Sequence, residues 1–347
     1  MNRIIHTCAV GIAGVFGLLS FNSQPHAAML WGVNGHPLVS YPGVTIEEQL
    51  MLLGDLGAKS YRVDVTGLDK SAQLGALIAA AKRRNMVVLP VLIPPVSLSK
   101  ETVEELYRKS FDFARSLVQQ FGRDVPVWEL GNELENFAII QPCERRDDGT
   151  QYPCEWGPAG GWSSLEYFGP RYLKVAAVLR GLSEGAHAAD PQAVRAIGSA
   201  GWGHVGIFER LHRDGIAWEI SVWHHYDGDP EPAFEALATF GRPIWVTEFN
   251  HNLGSGRDGE EGQAAGLHCK MRRYIDLAQK YRVEAAFIYE LLDETYWPPG
   301  AETSMGLIRL TKTGQGHWAL GGPKAAYAAA RRVIADEKRQ LSSVCKN

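Results

Sequence analysis

Cysteine is scarce in this sequence of 347 residues, with five in all, and no C-x-x-C pair or His/Cys spacing suggests a zinc site. Basic clusters are missing too. The 35 Lys and Arg residues are scattered among 39 acidic ones for a net charge of −4, so the footprint of a nucleic-acid binder is absent. No G-x-G-x-x-G follows an apolar strand-like run, which counts against dinucleotide binding. Internal repeats, low-complexity linkers and breaks in composition are also lacking, so nothing splits the chain into several domains. The apolar run from about Cys8 to Phe21 falls well short of the roughly 20 residues a membrane span needs.

What that run does match is an export signal. Asn2 and Arg3 precede it, polar Asn22-Ser23-Gln24 follow, and the small pair Ala27-Ala28 offers a cleavage site. Residues 1–28 are therefore read as a signal peptide. Residues 29–347 are the mature domain, secreted or periplasmic, with no membrane span once the signal is removed. Four cysteines then remain, an even number in an oxidising compartment. Cys143 and Cys154 bracket the polar segment ERRDDGTQYP, which a disulfide would staple; whether Cys269 and Cys345 also pair is left open.

Hydrophobic residues make up 45% of the chain, enough for a full core, and ten Trp and twelve Tyr offer faces that stack on sugar rings as well as filling interiors. Eight apolar, β-rich runs recur: LWGVNG (30–35), SYRVDV (60–65), VVLPVLI (87–93), PVWELGNE (126–133), RAIGSAG (195–201), ISVWHHY (220–226), PIWVTEF (243–249) and AAFIYELL (285–292). An amphipathic stretch of helical period follows each. Strands apolar on both faces, alternating with helices, imply a parallel sheet covered by helices. Eight such units are the number that closes a single (β/α)₈ barrel of TIM type; a doubly wound sheet is the alternative.

In such a barrel the functional site forms at the C-terminal ends of the strands. Glu133 ends the fourth run, Arg62 belongs to the second, His224 and Tyr226 to the sixth, Glu248 to the seventh and Glu290 to the eighth. Strands four and seven lie on roughly opposite sides, so Glu133 and Glu248 would face each other across a bound sugar. Glycosidic cleavage needs such a pair, and retention of configuration would set them about 5–5.5 Å apart. Glu129, four residues before Glu133, lies too deep to reach substrate and should be a buried carboxylate paired with Arg62 or a backbone donor. Glu135 is expected on a solvated loop, and His225 packed behind the barrel.

VWELGNE followed by IWVTEF resembles clan A of the glycoside hydrolases, most closely family 39, with family 5 next. The resemblance implies that Glu133 is the acid/base and Glu248 the nucleophile. It implies that Asn132 donates to the sugar 2-hydroxyl, that Arg62 stands beside the nucleophile, and that His224 and Tyr226 support the pair. Burial would raise the pKa of Glu133. The eighth run and the later MGLIRLTKTGQGHWALGGPKAAYAAA resemble the closing segment of these enzymes. The chain departs from the pattern at Leu134, where proline is frequent, and at Tyr289-Glu290, where a Trp floors the sugar; Trp297 is a candidate for that floor.

Residues 134–163 show no helix period, and so long a stretch in a compact domain is usually functional or disordered. With Tyr152, Trp156 and Trp162 it reads as one wall of a sugar cleft, to which Trp31, His36 and Trp202 add from other strand ends. The expectation is a monomeric, retaining glycoside hydrolase acting on β-linked polysaccharide or oligosaccharide, with no metal and no organic cofactor. The rivals are a metal-dependent barrel of sugar-isomerase type, using Glu133, Glu248 and His224 as ligands, and a non-catalytic carbohydrate-binding barrel.

Overall fold

The computed structural model describes residues 28–40, 43–295 and 300–344. The export signal lies outside them but for Ala28, as do Trp297 and Cys345. Among the described residues no helix is long and apolar enough to cross a membrane.

All eight apolar runs are strands: β1 (Leu30–Gly35), β2 (Ser60–Val65), β3 (Val87–Leu92), β4 (Val127–Leu130), β5 (Val194–Ser199), β6 (Ile220–His225), β7 (Ile244–Phe249) and β8 (Val283–Ile288). They pair in parallel in chain order, and β8 returns to β1, closing the barrel and setting aside the doubly wound alternative. Helices α1 (Ile46–Leu56), α2 (Ser71–Arg83), α3 (Val103–Phe121), α4 (Gly169–Ala189), α5 (Gly206–Arg213), α6 (Glu231–Ala238) and α7 (Ser255–Tyr281) connect the strands. Local chemistry sets where they begin. Thr45 caps α1 and Thr102 caps α3, each exchanging hydrogen bonds with the Glu three residues on, which satisfies amides a helix start leaves unpaired. A hairpin of β9 (Ile308–Gly314) and β10 (His317–Pro323), not foreseen from the sequence, precedes the last helix, α8 (Ala325–Val344).

Two apolar layers hold the barrel. Residues pointing inward, among them Leu89, Val127, Ile220, Val222, Trp245 and Phe287, fill its interior as a plug beneath the upper rim. Those pointing outward pack under the helices. Gly32 is part of the first layer: a Cβ there would enter the Phe287 ring. Trp31 belongs to the second layer and not to the cleft. It stands near the start of β1, 2% exposed, its indole donating to Glu337 of α8 at 2.5 Å and lying 6.5 Å from the Phe249 ring.

The segment between β4 and α4 is ordered by its own contacts. Cys143 and Cys154 form the expected disulfide. Arg171 of α4 binds Glu144 with both terminal nitrogens and also donates to the carbonyls of Phe137 and Ile139. Among the described residues Cys269, exposed on α7, has no disulfide partner; its candidate partner Cys345 lies outside them.

At the rim, Gly201 lies just past β5 with φ +86°, and a Cβ there would collide with the His224 carbonyl oxygen at the end of β6. Gly201→Ala should therefore cost about 1–3 kcal/mol in urea unfolding, from the left-handed backbone and the forced shift of β6. Unchanged stability would show that β6 does not depend on this close approach.

Candidate active site

Arg62, fully buried on β2, is the hub of the rim. Its Nε donates to Glu129 Oε2 (2.8 Å) and its Nη2 to Glu129 Oε1 (2.7 Å), a two-pronged pair with the carboxylate on β4. Nη2 also donates to Asn132 Oδ1 (2.8 Å), and Nη1 to Asn34 Oδ1 (2.7 Å) and Glu248 Oε1 (2.6 Å). Glu129 accepts a further bond from Thr247 Oγ1 (3.1 Å), and Asn34 donates to the carbonyls of Thr247 and Ile288. Glu129 is thus the buried partner its depth in the strand implied. With Asn132 Oδ1 occupied by Arg62, its Nδ2 is the end left to donate into the cavity.

Two backbone irregularities aim the glutamates. On β7 the register skips a residue: Trp223 pairs with Val246, but His224 pairs with Glu248. Strict alternation after inward Trp245 and Thr247 would turn Glu248 toward the helices; the bulge turns it into the barrel. Past β4 the chain leaves the sheet through Gly131 (φ 76°) and Glu133 itself (φ 48°, ψ 33°), a left-handed conformation uncommon outside glycine. Asn136 steadies that turn, its Nδ2 reaching Glu133 Oε2 at 3.3 Å.

Between the two carboxylates stands His224, its Nδ1 2.8 Å from Glu133 Oε1 and 3.3 Å from Glu248 Oε2. One oxygen of each glutamate lies within 4.8 Å of the other. Tyr226 donates to Glu248 Oε2 at 2.6 Å, and burial together with the Glu248 charge keeps its phenol protonated. Burial works against charge on His224, but Glu248 and Glu133 overcome it and raise its pKa. The expected rise for Glu133 is not found. Burial does push its carboxyl upward, yet the hydrogen bond and charge of His224 outweigh it and hold the pKa below the ordinary value.

These groups open into a cavity of about 610 Å³ lined also by His36, Asp64, Asn136, Trp202, Asp227, Asn252, Tyr289 and Glu302. His36 Nδ1 meets Asp64 at 3.0 Å, and its Nε2 meets Glu294 at 3.2 Å and Glu290 at 3.5 Å. Burial opposes its protonation, but the Asp64 hydrogen bond and the three carboxylate charges win and raise its pKa to about 9. Glu290 is fully buried behind His36 rather than in the cavity wall. Tyr289 does line the wall, edge-on to Tyr226 and to His36.

Other expectations need correction. Glu135 is 1% exposed, not solvated: its Oε1 accepts from the Ala200 amide (2.5 Å) and His204 Nδ1 (3.0 Å), tying the loop after β4 to the loop after β5. Trp156 is 58% exposed and stands edge-on to Tyr152, and it is not among the residues lining the cavity. His225 packs outside the barrel against Trp223 and Tyr274, as its alternation predicted. Asn34, Asp227, Asn252, Glu294 and Glu302 were missed. Asn34 had a signal, a lone amide at the end of an apolar strand; the others sit on loops whose course no periodicity reports.

Among the described residues two trios offer atoms spaced for a metal ion, Glu133–His224–Glu248 and His36–Glu290–Glu294. In the first, His224 Nδ1 is engaged by both carboxylates and Arg62 stands on Glu248, so a cation would have to displace hydrogen bonds already made.

No protein-family model matches the sequence, and no curated protein matches it. Solved structures do. A family 1 β-glucosidase from Thermotoga maritima superimposes with a TM-score of 0.62 at 12% identity, covering 89% of this chain and 98% of that one. The same β-glucosidase in complex with noeuromycin gives 0.65 at 12% identity, with 89% and 98% covered. Aphid myrosinase gives 0.57 at 12% identity, with 88% and 98% covered. At such identities the likeness is one of fold.

Removing Glu129 would leave Arg62 buried with two of its five hydrogen bonds gone. Glu129→Ala should lower stability by about 3–5 kcal/mol in chemical denaturation. A loss under about 1 kcal/mol would mean that water compensates Arg62.

His36 predicts a pH dependence. Folded, it keeps its proton up to about pH 9; its ordinary pKa is 6.5. Between those values the folded state holds the extra proton, so the contribution is full below about pH 6.5 and is lost as pH rises through 9. The melting temperature should fall over that window, and His36→Gln should flatten the fall. Parallel curves for the two proteins would refute the assignment.

Proposed function

We propose that this protein is an exported retaining β-glycosidase, with Glu248 as nucleophile and Glu133 as acid/base. The observation that carries the reading is the placement of the two carboxylates on one imidazole, an oxygen of each within 4.8 Å of the other. That spacing suits double displacement better than inversion, which needs about 6.5–9.5 Å to admit a water. The resemblance of VWELGNE and IWVTEF to clan A, and neighbours named β-glucosidase and myrosinase, support the same reading. The Cys143–Cys154 disulfide suits an oxidising compartment. The chemistry proposed here runs on carboxylates and needs no cofactor, and the protein acts as a monomer.

The residues divide the work as follows. Arg62 and Tyr226 each bind one oxygen of Glu248, which fixes the carboxylate and its line of attack. A Glu248 oxygen attacks the anomeric carbon, the glycosidic C–O bond breaks, and its electron pair takes a proton from Glu133. In the resting site that proton lies on the His224 side of the hydrogen bond between the two. Sugar filling the cavity excludes water, adding to the burial that already disfavours the Glu133 anion and moving the proton onto it. Having given up its proton, Glu133 is a carboxylate, and esterification removes the Glu248 charge that disfavoured that anion, so Glu133 stays ionised and free to act as base. Glu133 takes a proton from water as the water oxygen attacks the anomeric carbon; the ester bond breaks and Glu248 leaves as carboxylate. Asn132, held by Arg62, donates to the neighbouring sugar hydroxyl.

Substitution separates the two roles. Glu133→Ala should still form the glycosyl-enzyme from a dinitrophenyl β-glycoside, whose leaving group needs no proton, and added azide should speed breakdown with retention of configuration. Glu248→Ala should lose turnover, and azide rescue there should give the opposite anomer. An inverted azide product from Glu133→Ala would place the nucleophile on the β4 side and overturn the assignment.

A further inference from the structure

Beside the cavity runs a second groove, of about 560 Å³, bordered by Asn136, Gln141, Trp162, Trp202 and His204. Asn136 and Trp202 line both hollows, so the two adjoin. Two indoles on its border face solvent, Trp162 at 53% and Trp202 at 66% exposure, an unfavourable state for side chains this large unless something covers them. Both are held in place. Trp162 lies across Gly203, where a Cβ would enter its ring. Trp202 has a left-handed backbone (φ 48°) and rests edge-on against His204 at 6.3 Å, while Glu135 binds both His204 and the Ala200 amide.

The side of the cleft follows from chemistry. An acid that protonates the leaving oxygen must stand beside it, so the leaving group departs past Glu133. Asn136 touches Glu133 and forms the groove's near wall. Flat apolar indole faces with amide and imidazole groups between them match a pyranose, which has C–H faces and a polar edge. We propose that this groove holds the first sugar residues on the leaving-group side of the scissile bond, stacked on Trp202 and Trp162, so that the favoured substrate is a glycan chain rather than a glycoside of a small alcohol. The proposal rests on the glycosidase reading above.

Two measurements test it. Glu248→Gln is titrated with cello-, laminari-, xylo- and manno-oligosaccharides from disaccharide to hexasaccharide, following tryptophan fluorescence. Affinity in at least one series should rise roughly tenfold or more with length. Adding Trp162→Ala or Trp202→Ala should remove that gain, and Trp→Tyr at either position should restore most of it. In parallel, the otherwise unaltered enzyme is given hexasaccharides of the same series labelled at the reducing end. It should release labelled fragments of two or more residues, and Trp162→Ala should shift cleavage toward the labelled end. Affinity that does not grow with length, growth untouched by both alanine variants, or an unshifted cleavage pattern overturns the groove. Turnover of aryl glycosides separates the two readings: an enzyme that cleaves them but shows no Trp-dependent gain refutes the groove alone. A protein that cleaves no glycoside refutes the leaving-group assignment together with the activity it rests on.

Discussion

Arg62 has five N–H donors, and every one is engaged inside the barrel, two by Glu129, one by Asn132, one by Asn34 and one by Glu248. A guanidinium buried this deeply is costly unless all its protons are met and its charge is balanced. Meeting them ties together the ends of β1, β2, β4 and β7. The proposed nucleophile is therefore held as one member of a closed network, with Thr247 and the backbone of β8 attached through Glu129 and Asn34. The rim owes its geometry to this requirement more than to apolar packing, which lies below it in the plug around Phe287 and Trp245.

The electrostatics of the cavity follow the same economy of charge. The cations Arg62, His224 and His36 each face two or more carboxylates. Glu133 is the least constrained of the acids around them: it is part-exposed, stands on a strained turn and has a single imidazole contact, with His224. A group with a movable proton beside a group pinned by two donors is the asymmetry that separates an acid/base from a nucleophile. In the proposed assignment, two similar glutamates differ in role through their neighbours alone.

Much of this was legible in the chain. All eight strands could be read because parallel strands buried on both faces are continuous apolar runs, and helix starts at Thr45 and Thr102 carry their own capping chemistry. That Glu129 is buried and paired followed from depth in the strand, with Arg62 one of the two kinds of partner expected. Trp31 was misplaced because a strand's composition does not say which end of it faces the site. Glu135 was misplaced because solvation of a loop residue depends on what packs over it, here the loop after β5. The β9–β10 hairpin escaped notice since it buries little and has weak alternation.

The sequence by itself determined the architecture and the inventory: eight βα units and a glutamate near the ends of the fourth and seventh strands. Those follow from local periodicity and from composition. Only the tertiary structure decided where the carboxylates point. Period-two alternation from Trp245 sends Glu248 outward, and it faces His224 because β7 gains one residue against β6, a bulge set by pairing between strands. Glu133 likewise reaches the axis through a left-handed turn that Asn136 supports from beyond it. Neither feature has a local cause, since register belongs to a pair of strands and a strained backbone persists only where its surroundings hold it.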